Sequence, residues 1–178
     1  MAVHTNGWNL VEEAINEYLF TIKACIEYRK SDGGCLGYPA ALLMLCTIEA
    51  LGHFLRNELV EIDDTKQAIT SGEPFRVLNH PFFDQKLSGE QINAIKDAYR
   101  NRLAHNAMIG PNAFLVLGET KSLFIFGGET VGIVVNELAK VLFAVWENFE
   151  KGLIRRAVER GYFSAPPRRK LRVAPAVP

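Results

Sequence analysis

Residues 38–55, YPAALLMLCTIEALGHFL, are the most apolar stretch of the chain, and they decide the expected fold. The stretch is apolar around most of a helical circumference, which predicts a buried central helix from about Pro39 to Asn57. Thr47, Glu49 and His53 interrupt it, and it is shorter than the roughly 20 apolar residues that span a bilayer. We therefore expect a core helix and no contact with a membrane.

Further helices are predicted on both sides of this central helix. Apolar residues recur at helical spacing from Trp8 to Ile26, from a Ser88 N-cap to His105, and from Val131 to Arg160. The stretch AFLVLGETKSLFIF (residues 113–126) has two short β-prone runs around a turn and predicts a β-hairpin. Residues 58–90 are polar and turn-rich, and either a short helix or a packed loop fits them. The predicted fold class is all-α, a bundle of four to five helices with a short β-hairpin insertion at about 113–126.

Composition and charge fit one folded domain followed by a tail. The chain has 178 residues, 48% hydrophobic and 22% charged, which is typical of a globular protein. Residues 1–150 contain 12 basic and 19 acidic side chains, whereas residues 151–178 contain 8 basic and 1 acidic. We expect a domain over residues 1–160 and a basic, proline-rich tail over residues 161–178, where a polyanion would be attracted first.

The cysteines and the first residues of the chain suggest the compartment. The three cysteines are an odd number without a C-x-x-C pair, so the sequence predicts neither a disulfide framework nor a zinc site. The first ten residues, MAVHTNGWNL, lack the basic segment and apolar run of a secretory signal. A cytoplasmic location is expected, and the sequence suggests no metal and no cofactor.

Three polar residues stand out in AYRNRLAHNA, residues 98–107. Arg100, Asn101 and His105 lie off the apolar stripe of the predicted helix, which is formed by Ile92, Ile95, Tyr99 and Leu103. An arginine can bind a phosphate and stabilise developing charge, and a histidine can move a proton near neutral pH. Such a pair suits RNA cleavage by the ribose 2′-hydroxyl, a reaction that requires no metal. A structural interpretation is also open, with Arg100 paired to Asp97 and His105 at the helix C-terminus.

The segment RNRLAH, residues 100–105, resembles the R-x4-6-H motif of the HEPN superfamily (higher eukaryote and prokaryote nucleotide-binding), including the polar residue after the arginine. In HEPN ribonucleases, often toxins or defence proteins, two protomers dimerise so that both motifs line one RNA-binding cleft. The resemblance implies that Arg100 binds phosphate, Asn101 positions the substrate and His105 acts as general acid and base. The hairpin and the basic tail are not part of the family's general pattern.

Glu49, His53 and Arg56 form a second polar stripe, since their spacing of four and three places them on nearly one face of the central helix. They form either a cleft wall that faces Arg100 and His105 or a row of ion pairs at the surface. Glu49 is the most informative of the three, because a carboxylate within an apolar helix requires a partner if it is buried.

These residues and the HEPN resemblance together predict a metal-independent endoribonuclease that acts on RNA. The resemblance alone implies a homodimer, a toxin or defence role, and an antitoxin or other regulatory protein as a further partner. The alternative is a non-catalytic HEPN-like module that binds a nucleotide, an RNA or a protein. A third hypothesis is a structural protein whose polar cluster has no function.

Overall fold

Two long helices form the first half of the core in a computed structural model of the protein, which describes residues 7–106, 108–118 and 120–159. Helix α1 is Gly7–Glu27 and helix α2 is Gly37–Phe54, close to the predicted boundaries of both. The side chains that α1 buries recur at helical spacing, as predicted, and are Ile15, Leu19, Ile22 and Cys25. Helix α2 is central, because eight of its residues are buried: Ala40, Ala41, Met44, Leu45, Thr47, Ile48, Leu51 and Gly52.

An antiparallel hairpin follows α2, where the sequence predicted none. Strand β1 is Leu59–Ile62 and strand β2 is Thr65–Ala68, paired in the register Val60↔Gln67. The two-residue turn between them is Asp63 and Asp64, with φ of 49° and 59°, the left-handed conformation of a tight hairpin turn. Alternating exposed and buried residues in β1 leave one face of the hairpin in solvent.

A 3₁₀-helical turn, Pro74–Asn79, packs tightly against α2. A Cβ atom on Gly52 would lie 2.1 Å from the carbonyl oxygen of Pro74, so only glycine fits where α2 meets this turn. The turn is the short helix that the sequence left open within residues 58–90.

The segment that contains Arg100 is a helix in three parts. Helix α3 is Gly89–Ile95, a π-helical segment covers Lys96–Asn101, and helix α4 is Arg102–Asn106. The N-cap predicted at Ser88 is confirmed: its hydroxyl accepts from the Gln91 amide at 3.2 Å, and the Gln91 side chain accepts from the Ser88 amide at 2.9 Å. The predicted apolar stripe is buried throughout, with Ile92, Ile95, Tyr99 and Leu103 at most 5% exposed.

A three-stranded mixed sheet follows, and with it the all-α prediction is wrong. Strand β3 is Ala113–Val116, β4 is Phe124–Gly127 and β5 is Thr130–Val134, in the order β3-β5-β4. The predicted hairpin between the runs at 113–126 does not form, because β5 lies between β3 and β4, parallel to β3 and antiparallel to β4. With five helices and two sheets over the described residues, the fold is mixed α/β and not a helical bundle.

The last helix, α5, is Val135–Glu159, so it begins four residues after the predicted start at Val131. Its buried residues complete the core beside α1 and α2, and they include Leu138, Leu142, Val145, Trp146 and Phe149. The indole nitrogen of Trp146 donates to Asn16 in α1 at 2.9 Å. Among the described helices, none is long and apolar enough to cross a membrane. The predicted tail, residues 161–178, lies outside the described residues.

Candidate functional site

Tyr99 fixes the π-helical segment to the three-stranded sheet. Its side chain is fully buried, and its hydroxyl lies 2.6 Å from the carbonyl oxygens of Phe114 in β3 and Val131 in β5. The hydroxyl accepts from the Phe114 amide at 3.1 Å and donates its single proton to one of the two carbonyls at a time. Burial raises the pKa of Tyr99 to about 12. The residue before Arg100 is therefore held in place as a neutral phenol.

The loop after α4 closes back onto the same segment. The Gly110 amide donates to the carbonyl of Ala98 at 2.8 Å, outside the helical hydrogen-bond pattern. A Cβ atom on Gly110 would lie 3.4 Å from the Cα of Ala98, so the loop and the helix backbone are in close contact. π-helical turns are uncommon and occur often at functional sites. Both residues before Arg100 thus have a fixed backbone.

Arg100 forms an ion pair with Glu49 of α2. Its Nε atom donates to Oε2 of Glu49 at 2.6 Å, and the two side chains are 24% and 28% exposed. A charge-assisted bond of this length is among the stronger hydrogen bonds in proteins. The structure thus joins two predicted site residues that are 51 positions apart in the chain.

Cys46 lies one helical turn before Glu49 and within electrostatic reach of the pair. Burial raises the pKa of Cys46, the Arg100 guanidinium lowers it and the Glu49 carboxylate raises it. The net shift is upward, so the thiol is protonated at neutral pH and is no activated nucleophile. We call Cys46, Glu49 and Arg100 the Arg100 cluster.

His105 and Asn101 lie on the solvent side of the same helix. Both are exposed, and His105 is in the last turn of α4. The Asn101 side chain donates to Asp97 at 3.0 Å, so Asp97 binds Asn101 and not Arg100 as the structural interpretation expected. Within one protomer, no hydrogen bond or ion pair among the described side chains joins His105 to Arg100. The motif therefore has a half-buried arginine and an exposed histidine.

Of the second polar stripe, the structure brings only Glu49 to Arg100. His53, in the last turn of α2, and Arg56, after its end, are both exposed. Across the described residues, no ion pair connects Glu49, His53 and Arg56 to one another, so the expected row of surface ion pairs does not form. No described group of three or more His, Cys, Asp and Glu residues is arranged to hold a metal ion.

A separate polar pocket of about 130 Å³ lies between the first hairpin and α3. Two of its charged residues already bind each other, since Arg76 pairs with Glu73 at 2.5 Å. Arg76 also donates to the carbonyl of Ala68 at 2.8 Å, and Lys96 donates to that of Gly72 at 3.3 Å. These charges are engaged within the protein, so the pocket is a weaker candidate than the Arg100 cluster.

Sequence reasoning missed two features of the site. Tyr99 was interpreted as a core residue only, although a buried tyrosine hydroxyl requires a hydrogen-bond partner, and that requirement was the available signal. The position of Cys46 beside Arg100 has no signal in the sequence.

Comparisons with family models, with curated proteins and with solved structures give no match to this chain.

Proposed function

We propose that this protein is a metal-independent endoribonuclease that resembles the HEPN ribonucleases and acts on single-stranded RNA through Arg100 and His105. The observation that supports it is the state of Arg100. Its guanidinium is held by Glu49 through Nε alone, at the partly exposed end of a helix whose next turn presents His105 to solvent. A group that can bind phosphate and a group that can transfer a proton thus lie within six residues of one helix.

In the proposed reaction the nucleophile belongs to the substrate. His105 removes the proton from a ribose 2′-hydroxyl, whose oxygen attacks the adjacent phosphorus and displaces the 5′-oxygen of the next nucleotide. The bond to the leaving 5′-oxygen breaks as that oxygen takes up a proton from the protonated His105, which returns to its neutral form. Arg100 stabilises the charge that develops on the phosphoryl oxygens. The products have a 2′,3′-cyclic phosphate and a 5′-hydroxyl.

A second protomer supplies what one protomer lacks in this proposal. Arg100 is half-buried beside Glu49, whereas His105 is exposed, and no described hydrogen bond or ion pair joins the two side chains. A homodimer that places two motifs across one cleft would give each RNA phosphate an arginine and a histidine.

We further propose a toxin or defence role in the cytoplasm, with a regulatory partner protein such as an antitoxin.

The Glu49–Arg100 pair also favours the second candidate, a non-catalytic module that binds a nucleotide, an RNA or a protein. A carboxylate 2.6 Å from Nε offsets the charge that would stabilise a transition state. Such a module would bind RNA saturably through Arg100 and leave it intact.

Cleavage of a mixed single-stranded RNA pool in the presence of EDTA distinguishes the two candidates. The wild-type protein is expected to cut the pool, and His105→Ala is expected to lose that activity. Arg29→Ala is the control for a general loss of positive charge, because Arg29 is an exposed residue just after α1 and outside the motif at residues 100–105. Binding without any product would support the module, and cleavage unchanged in His105→Ala would contradict the nuclease.

A further inference from the structure

The contact between Glu49 and Arg100 occupies one donor of the guanidinium and leaves the others. An arginine has five N–H donors, one on Nε and four on the terminal nitrogens. Glu49 accepts from Nε. No acceptor among the described residues is hydrogen-bonded to the terminal nitrogens of Arg100. The pair therefore fixes the guanidinium plane and keeps four donors for a ligand.

The backbone that bears Arg100 is fixed as well. Tyr99 is bonded to two strands of the sheet, and the carbonyl of Ala98 accepts from the Gly110 amide. With its backbone fixed by these neighbours, Arg100 retains the rotations of its own long side chain. Glu49 restricts those rotations from the rigid helix α2, and such support from a second element is what a binding group requires to keep its geometry.

The charge of Glu49 has a separate effect on the ligand. A phosphate near Arg100 is attracted by the guanidinium and repelled by the carboxylate beside it. An internal phosphodiester carries one negative charge, whereas a terminal phosphate carries about −1.5 to −2 at neutral pH. Glu49 therefore repels a terminal phosphate more strongly than an internal one. This favours attack within the RNA chain over binding at its ends.

We infer that Glu49 is a positioning residue of the Arg100 cluster: it holds Arg100 by Nε so that the terminal nitrogens meet the ligand, and its charge selects internal phosphodiesters over terminal phosphates. The inference rests on the proposed endoribonuclease function. It assigns Glu49 a role through Arg100 and no direct contact with RNA.

Two substitutions of Glu49 distinguish its effect on the position of Arg100 from the effect of its negative charge. Glu49→Gln keeps an oxygen that accepts from Nε and removes the charge, whereas Glu49→Ala removes both. Glu61→Gln is the matched control, because Glu61 is an exposed carboxylate on β1, outside the Arg100 cluster. In Glu49→Ala, kcat is expected to fall roughly 10- to 100-fold without a rise in KM, since misplacement affects the chemical step. Glu49→Gln is expected to restore kcat to within about threefold of the wild type.

Selectivity is measured by competition with two oligodeoxynucleotides that cannot be cut, identical except for a 3′-terminal phosphate. The wild type is expected to bind the phosphorylated strand no better than its match. With Glu49→Gln, the phosphorylated strand is expected to inhibit cleavage roughly fivefold more strongly than its match, because an exposed charge interaction changes affinity by about that factor. The Glu61→Gln control should behave as the wild type.

The outcomes separate this inference from the function on which it rests. Wild-type cleavage with unchanged kcat in Glu49→Ala overturns the role of Glu49 and leaves the endoribonuclease standing. Equal losses of kcat in both Glu49 variants, with matching losses in thermal stability, overturn it as well, because they indicate a purely structural contact. Wild-type protein that leaves RNA intact overturns the proposed function and the role of Glu49 together.

Discussion

The Glu58–His80 and Glu49–Arg100 pairs each join a glutamate to a basic side chain from another part of the described chain, and they differ in how many hydrogen-bonding groups the pair and its surroundings use. The Glu58–His80 pair is 3.2 Å long, with His80 8% exposed. The other ring nitrogen of His80 accepts from the Phe82 amide at 3.4 Å, and the ring packs against Phe82 with centroids 4.8 Å apart. Arg100, paired with Glu49 at 2.6 Å, is three times as exposed and uses one of its five donors on the pair.

The difference separates a structural pair from a candidate site. Both nitrogens of His80 are engaged and its ring is packed, so we expect its removal to lower stability and to leave activity unchanged. No described residue is hydrogen-bonded to the terminal nitrogens of Arg100, so we expect its removal to lower activity and to leave stability nearly unchanged. Each prediction below tests one side of this contrast, from the largest expected effect to the smallest.

Arg100→Ala is expected to reduce kcat for RNA cleavage by about 10²- to 10³-fold, the usual loss when one donor to a developing anion is removed. Its free energy of unfolding should change by no more than about 1 kcal/mol, because the ion pair is partly exposed. Single-turnover cleavage and urea denaturation of the same preparation measure both quantities. A stable Arg100→Ala variant that retains full activity would show that Arg100 takes no part in RNA cleavage.

His80→Ala is expected to lower the free energy of unfolding by about 1 to 3 kcal/mol, since it removes a buried ring that bonds to Glu58 and packs against Phe82. The kcat of the folded protein should equal that of the wild type. Urea denaturation and cleavage assays below the unfolding transition provide the test. Loss of kcat at unchanged stability would give His80 a role in activity, as proposed for Arg100, and would contradict the difference between the two pairs.

Tyr99→Phe is expected to change how stability depends on pH. Because burial raises the pKa of Tyr99 from its ordinary value of 10.0 to about 12, the folded state favours the neutral phenol. The stability that the folded state gains by keeping this phenol neutral is fully present below pH 10 and is lost as the pH rises toward 12. The free energy of unfolding of the wild type should fall over this range more steeply than that of Tyr99→Phe. Equal slopes would show that Tyr99 does not titrate differently in the two states.

Asn101→Ala should have the smallest effect. Its side chain is exposed and bonds to Asp97 four residues earlier, a type of contact that contributes about 0.2 to 0.5 kcal/mol to a helix. Thermal denaturation is expected to show a shift of that order. If kcat falls far more than stability does, Asn101 has the substrate-positioning role that the HEPN resemblance implies.

The helices could be predicted from the sequence because their signals are local. Ile15, Leu19 and Ile22 repeat at helical spacing, and Ser88 with Gln91 forms a cap that four residues specify. Strand β5 could not be predicted from the sequence, since it is buried on both faces and its residues do not alternate between apolar and polar. Val131 and Val134 are three residues apart, so they fit the helical pattern of α5 that follows directly.

The site could be predicted in part. Residues 100–105 and Glu49 stand out by chemical type, but the bond between Glu49 and Arg100 depends on how α2 packs against the π-helical segment. That packing depends in turn on Tyr99, whose partners lie in strands β3 and β5. The apolar spacing of β5 runs on into α5, so the sequence predicts a helix there and no strand. Contacts between distant segments have no signal in a single sequence.

The most direct test of the central claim is the chemistry of the RNA ends produced in EDTA, determined by mass spectrometry on an oligonucleotide with one 2′-deoxy position at a mapped cleavage site. Attack by the 2′-hydroxyl predicts 2′,3′-cyclic phosphate and 5′-hydroxyl ends, with no cleavage at the deoxy position. Products with 5′-phosphate ends, or cleavage that continues at the deoxy position, would contradict the proposed roles of Arg100 and His105.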